Sequence, residues 1–483
     1  MSQSHGFSDF VRKGELATPH SPLFEGAFGR LFRKLRPLAP PGSNDAAKLQ
    51  QLKDLAGAML EPAQFDPSLD NKKIPSGYTY FGQFIDHDIT FDPTSSLQRQ
   101  NDPNRLVNFR SPRFDLDCIY GRGPDDQPYL YDQAAGDATK PEGSHFLIGR
   151  TPSGELDLQR NDQGRAMIGD PRNDENIIVS QFQLMFLRFH NAMMKAVRRK
   201  NLSNREFFEK VQREVRWHYQ WAVVNDFLKR IVGEKMWDKT RPSKDNPSKP
   251  RLRFYKPEKS AFIPVEFSAA AYRLGHSMIR GRYHLNTVLK DLRGDAGPIP
   301  IFLPPSTSPG TFDDLRGFRP LPQVWTIEWN RFFDLGGNEL QLSRKIDAKL
   351  VTQLNAIPAG PGIENPLAFL NLVRGWRLGL PSGQSVAHAM GIKAINDNRH
   401  DPLWFYILKE SEENGGEHLG PTGGTIVVEV FWGLLQADPL SYLNIRPDWK
   451  PWIPQAGSEF EIGDIIRFSG APIDDAGLAP PTQ

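Results

Sequence analysis

Residues Gly77–Pro93 read GYTYFGQFIDHDITFDP, and how this stretch is interpreted governs the rest of the chain. Its Tyr, Phe and Ile residues form an aromatic run that would be ordinary core if Gln83, Asp86, His87 and Asp88 did not interrupt it. Wound as a helix at roughly 100° per residue, the stretch places Gln83, Asp86 and His87 on one face and turns Asp88 well away from His87. One face then carries an amide, a carboxylate and an imidazole. An imidazole titrates near neutrality and can take up a proton and return it within one cycle, which makes His87 a candidate general acid/base. A hydrogen-bonded core histidine or a surface His-Asp cluster are the plainer readings of an isolated Asp-His-Asp triplet, and a metal site built on Asp86, His87 and Asp88 is a weaker third one.

Outward from this stretch, the chain runs to 483 residues, past the roughly 250–300 at which a single core usually stops growing, so it can bury a cofactor. With 59 basic against 57 acidic residues it has no electrostatic footprint for nucleic acid. Cys118 is the only cysteine, which excludes an intramolecular disulfide, a zinc-thiolate cluster and an iron–sulfur site built from this chain alone. Met1–Leu16 contains no apolar core of a signal peptide, and no stretch approaches the roughly 20 apolar residues of a membrane helix. A cytoplasmic location is the default expectation, with non-classical export left open.

The pattern predicts a mainly α protein: a single large helical domain with long irregular loops and little β. Residues 1–45 are expected to form an arm, 46–468 the domain and 469–483 a flexible tail. Ile177–Arg199 and Glu206–Val232 repeat apolar residues at helical intervals, whereas Thr425–Phe431 (TIVVEVF) fits either a strand or a buried helix.

Two further segments carry chemistry. Gly169–Asn176 (GDPRNDEN) precedes the long pattern starting at Ile177, so its Pro, Asn and Asp residues read as a turn and helix start. Arg172 and Glu175 are left over, and a guanidinium in a pocket can stabilise charge on a departing oxygen. Glu266–Arg280 (EFSAAAYRLGHSMIR) is expected to be one helix, whose small residues let a bulky group approach beside His276. A neutral imidazole there is either a core histidine or an axial iron ligand.

In this order, GQFIDHDIT, SPRFDLDCIYG (Ser111–Gly121), GDPRNDEN, LRFHN (Leu187–Asn191), RLGH (Arg273–His276), LNLVRG (Leu370–Gly375) and GPTGGTIVVEV (Gly420–Val430) resemble the blocks of the animal haem peroxidases, a branch of the peroxidase–cyclooxygenase superfamily. The resemblance implies haem b, or an ester-linked derivative, with hydrogen peroxide and small electron donors as partners. It makes His87 the distal histidine, Gln83 its neighbour, Arg172 the distal arginine and His276 the iron ligand. Asn371 would accept a hydrogen bond from the other ring nitrogen of His276, and Arg273 and Arg374 would pair with haem propionates. Asp86 and Glu175 align with the carboxylates that become ester-linked to haem in several relatives. Asp88, Ser111, the Arg113 carbonyl, Asp115 and Asp117 resemble a calcium site.

Where some members carry a methionine bonded to haem, this chain has Asn176, which argues against efficient chloride oxidation. The activity implied is oxidation of phenolic or aromatic donors, or of iodide, bromide and thiocyanate. A fatty-acid oxygenase using Tyr272, or a haem-binding protein without turnover, are the alternatives.

Overall fold

The computed structural model describes residues 28–62, 66–91, 108, 110–134, 143–257, 261–294, 298–303, 313–356, 366–396 and 400–474. The outer parts of the expected arm and tail, residues 1–27 and 475–483, lie outside them. The longer helices are α1 (Asp45–Ala58), α2 (Gly77–Ile89), α3 (Ile177–Ala196), α4 (Asn204–Trp221), α5 (Leu367–Arg377), α6 (Gly383–Met390), α7 (Leu403–Glu413), α8 (Pro421–Ala437) and α9 (Ile462–Ser469). Strands among the described residues are short and pair only in twos, so the fold is mainly α, as its sequence pattern predicts. None of the described helices is long and apolar enough to cross a membrane.

The expected helix at Gly77–Pro93 is α2, and it is packed nearly all round. Phe81, Phe84, Ile85 and Ile89 are fully buried, and Phe84 stacks on Phe186 of α3 with ring centroids 4.8 Å apart. Truncating such a residue to alanine costs about 3–5 kcal/mol. Gly77 opens the helix where a Cβ would lie 2.4 Å from the Phe333 ring, so only glycine permits that approach. At the other end Thr90 turns extended, and its hydroxyl donates to the Asp86 backbone and side chain at 3.0 Å.

Three local outcomes are decided by tertiary contacts. Thr425–Phe431 is helical within α8, because Ile426, Val427, Val428, Val430 and Phe431 are all buried and tertiary burial overrides the strand preference of β-branched residues. Glu410 anchors the start of α8, accepting from the backbone of Thr422 and Gly423 and from the Thr422 hydroxyl. Second, α4 passes into a π-helical turn at Ala222–Phe227, where Asp226 receives the Tyr78 hydroxyl, Arg230 Nε and the Ile462 amide.

Third, Glu266–Arg280 is not one helix. It breaks into Val265–Ser268, a 3₁₀ turn at Ala271–Leu274 and a single turn at Gly275–Met278. Ala270 leaves helical geometry (φ −137°, ψ −77°), and tertiary bonds replace the helical ones: Arg273 Nε donates to the Ser268 carbonyl, and Trp404 Nε1 to the Arg273 carbonyl.

The inner part of the arm is fastened to this broken segment. Phe28–Gly29 pairs in parallel with Ile263–Pro264, and Glu266 accepts the amides of Leu31 and Phe32, each at 3.1 Å. Arg30 donates to the carbonyls of Leu378 and Gly379 just beyond α5. At the start of the tail, the carbonyls of Pro472 and Ile473 accept from Trp329 and Asn330.

Candidate active site

A cavity of about 680 Å³ opens between α2, the turn before α3, the broken segment and α5. It is lined by Gln83, Asp86, His87, Arg172, Glu175, Arg273, His276 and Arg374, so the cofactor-side and catalytic residues expected from sequence converge on one space, with Asn371 just behind. The size falls within the roughly 300–1,000 Å³ of small-molecule and cofactor sites. A smaller space of about 180 Å³ adjoins it, shares Asp86, Arg172, Arg273 and Arg374, and is walled on its far side by Phe28 of the arm.

On the α2 side, His87 is buried and its Nδ1 lies 2.7 Å from Asn173 Oδ1. The Asn173 amide nitrogen in turn donates to Gln183 Oε1 at 2.8 Å, and Gln183 Nε2 donates to the Cys118 carbonyl. This chain of amides ends on a backbone oxygen, which can only accept. Asn173 must therefore present its oxygen to the ring, Nδ1 carries the proton, and Nε2 is left as the base. Burial, and then the Arg172 charge, hold the His87 pKa below its ordinary 6.5. Glu175 lies 3.6 Å from Nε2 and also accepts from Gln83. The Gln83 carbonyl takes a bond from Asn176, whose own Oδ1 caps α3 at the Val179 amide.

Arg172 is held from three directions. Its guanidinium donates to Asp170 and, through Nη2, to the carbonyls of His87 and Thr90, and it lies over the Phe91 ring. Among the described residues Nη1 has no hydrogen-bond partner, which leaves it as the donor for the cavity that Arg172 lines. Burial alone would raise the Asp170 pKa, but Arg172 and Arg110 outweigh it and keep the carboxylate charged.

His276, on the broken segment, lines the same cavity, and burial, then Arg273, push its pKa down to about 3, so the ring is neutral. The Asn371 amide nitrogen lies 2.7 Å from His276 Nδ1, and the amide oxygen accepts from Arg273 Nη1 at 3.4 Å. This reverses the expected polarity, in which Asn371 accepts from the ring, because Arg273 draws the amide oxygen to itself. Burial and the neighbouring Arg374 lower Arg273 to about 10, so this corner favours an anionic group. A Cβ built on Gly275 would meet nothing within 4 Å, which leaves open space next to His276.

The carboxylates of Asp88, Asp115 and Asp117 meet on the other face of α2, each buried, with one oxygen apiece within 4.8 Å of the others. Burial, followed by Asp115 and Asp117, raises Asp88 well above the carboxylate range; burial also lifts Asp117 to about 7 although Arg110 opposes it. Among the described residues Asp88 Oδ2 and both Asp117 oxygens have no hydrogen-bond partner, Arg110 Nη1 standing 3.3 Å from Asp117. Ser111 donates to Asp115 at 2.7 Å, and the Arg113 amide closes a tight turn onto the Ser111 carbonyl. Buried, mutually repelling and under-bonded oxygens suit a hard divalent cation.

Sequence reasoning missed Asn173, which reads as one more turn residue in GDPRNDEN; its complete burial beside exposed Pro171 marks it out only in three dimensions. His190, within the LRFHN block, is structural: its ring lies between Tyr120 Oη and the Ser144 carbonyl.

The architecture is mainly helical, and its fold is shared with solved peroxidase and dioxygenase structures. Residues 95–296, under half of the chain, match the animal haem peroxidase family. The chain is similar to the dual oxidase of Drosophila melanogaster, 25% identical over 307 residues that make up 58% of this chain and 18% of that protein. It thus spans under a fifth of that relative's length. Its fold resembles peroxidase A from Dictyostelium discoideum (TM-score 0.66, 15% identity, 99% of each chain). It also resembles the fatty acid alpha-dioxygenase of Oryza sativa (TM-score 0.53, 14% identity, 90% of this chain and 78% of that one).

Proposed function

We propose that the chain is an animal-type haem peroxidase that reduces hydrogen peroxide and oxidises phenolic or aromatic donors, or easily oxidised anions such as iodide, bromide and thiocyanate. One juxtaposition carries the reading. His87, with Nε2 left as a base beside Arg172, and a second neutral imidazole, His276, line the same cavity.

Haem b, or a derivative ester-linked through Asp86 and Glu175, would supply the redox chemistry for the two-electron reduction of hydrogen peroxide. His276 would hold the iron, and the guanidinium pair of Arg273 and Arg374 would take the propionates. With an anion drawing Arg273 away, the Asn371 amide is free to turn its oxygen to a protonated Nδ1, the contact that makes an imidazole ligand more basic. His87 Nε2 accepts a proton from one peroxide oxygen and returns it to the other, so that water leaves. Arg172 Nη1 donates towards the charge developing on that oxygen. Gln83, tied to Glu175 and Asn176, fixes the wall beside it. A calcium ion held by Asp88, Ser111, Asp115, Asp117 and the Arg113 carbonyl would pin the loop to α2 and so hold His87 in place.

The test is reconstitution with haem, followed by guaiacol oxidation with hydrogen peroxide in the wild type and in His87→Ala. Absence of a Soret band, or equal rates in the two proteins, refutes the reading. Tyr272 favours a second one, a fatty-acid oxygenase, because its ring lines the cavity; its hydroxyl donates to the Gly82 carbonyl at 3.2 Å. Oxygen uptake with linoleate and no peroxide turnover would select that alternative.

A further inference from the structure

We infer that Trp452 is a second oxidation site, at the protein surface, for aromatic donors too bulky to enter the cavity; this rests on the proposed peroxidase function. Trp452 is 46% exposed, unusual for so large an apolar ring, yet its indole is fixed rather than loose. Nε1 donates to Glu214 Oε2 at 2.8 Å, and the backbone amide donates to His218 Nε2 at 3.3 Å. His218 Nδ1 donates to the Glu214 carbonyl, so its tautomer is set, and burial lowers its pKa to about 4, which keeps it neutral. A tryptophan is among the most easily oxidised side chains, and its radical is favoured where the N–H proton has an acceptor and no cation stands against the ring. Among the described residues both conditions hold: Glu214 accepts the N–H, and no Lys or Arg lies over the Trp452 ring.

A path leads inward from this ring. His218 lies 5.5 Å from Trp452 and 4.9 Å from buried Trp449, centroid to centroid. His218 is followed on α4 by Tyr219, which is fully buried. The Tyr219 ring lies 6.3 Å from Phe81, Phe81 lies 5.6 Å from Phe227, and Phe227 lies 6.2 Å from Tyr272. Phe227 and Tyr272 both line the cavity. Oxidisable rings thus stand at the cavity wall, midway and at the surface, with phenylalanine rings, or the His218 imidazole and one peptide link, between them. An ordinary aromatic core explains the buried members but not a half-exposed tryptophan whose N–H is bonded to a carboxylate.

The step balances with hydrogen peroxide as oxidant. Trp452 loses one electron to the path and its Nε1 proton to Glu214. A phenol at the surface then returns an electron, Nε1 recovers its proton from Glu214, and the phenol O–H proton passes to solvent. Two such cycles supply the two electrons, and two protons come from solvent, so that one hydrogen peroxide and two phenols yield two waters and two phenoxyl radicals.

The experiment treats the haem-loaded protein with hydrogen peroxide and 2-methyl-2-nitrosopropane without donor, then maps the adducts by peptide mass spectrometry. In parallel it measures oxidation of guaiacol and of a phenol coupled to soluble dextran. The expected results are an adduct on Trp452 in the wild type, its loss in Trp452→Phe, and a fall of about tenfold or more in oxidation of the dextran phenol with guaiacol oxidation kept within about twofold. Glu214→Gln, which removes the proton acceptor but keeps the ring, should also slow the dextran phenol. No adduct at Trp452 while guaiacol is oxidised, or an unchanged dextran-phenol rate in both variants, overturns the inference. Failure of the wild type to oxidise guaiacol overturns the proposed function itself.

Discussion

The two walls of the cavity hold their histidines in different ways. On the α2 wall the His87 ring is fixed through Asn173 and Gln183 to a backbone carbonyl, so its tautomer has one solution. On the facing wall His276 rests on one amide, Asn371, whose polarity depends on where Arg273 points. A proton-transferring base needs the same free nitrogen before and after every cycle, and a rigid chain provides it. A ligand needs a lone pair and a partner that can adapt when an anionic group arrives.

The sharpest way to break the comparison is to remove the base. His87→Ala should slow the reaction with hydrogen peroxide by about 10²–10⁴-fold while leaving the haem spectrum in place, as read by stopped-flow absorbance. The pH profile of the same reaction comes next. Because burial and Arg172 lower the His87 pKa below 6.5, the base stays unprotonated down to that point; the rate should be flat above about pH 6.5 and fall as pH drops further. An acid limb centred above pH 7 would contradict this assignment.

The supporting amides separate the walls more finely. Asn173→Ala and Asn371→Ala should each cost roughly 10–100-fold, but in different quantities. Asn173→Ala should lower the peroxide rate and blur its acid limb. Asn371→Ala should weaken haem retention and shift the reduction potential, with the acid limb unmoved. Interchange of these signatures would show that the walls have been assigned the wrong way round. The smallest effect concerns calcium: chelation should lower the melting temperature by about 2–5 °C, and Asp117→Asn should abolish that dependence in a calorimetric scan.

Much of the α2 wall is legible in sequence because its residues lie in two short blocks, where helix geometry alone sorts His87 from Asp88. The facing wall is less so. The run Ser268–Ala271 has the composition of a helix, yet Ala270 breaks it, because the bonds that reward the break come from Ser268, Arg273 and Trp404 meeting in space. Asn173 escaped notice for a related reason: an asparagine in a turn is locally satisfied by capping, and only burial shows it aimed at an imidazole. Trp452 carries no local signal, since nothing in its neighbours foretells a bond to Glu214 on α4.

The central claim is that the two histidines divide the work of one cavity, and the most direct test compares the Soret spectra of the haem-reconstituted wild type, His276→Ala and His87→Ala. His276→Ala should lose the band of the wild type, and His87→Ala should keep it. An intact band in His276→Ala, or its loss in His87→Ala, would contradict that claim.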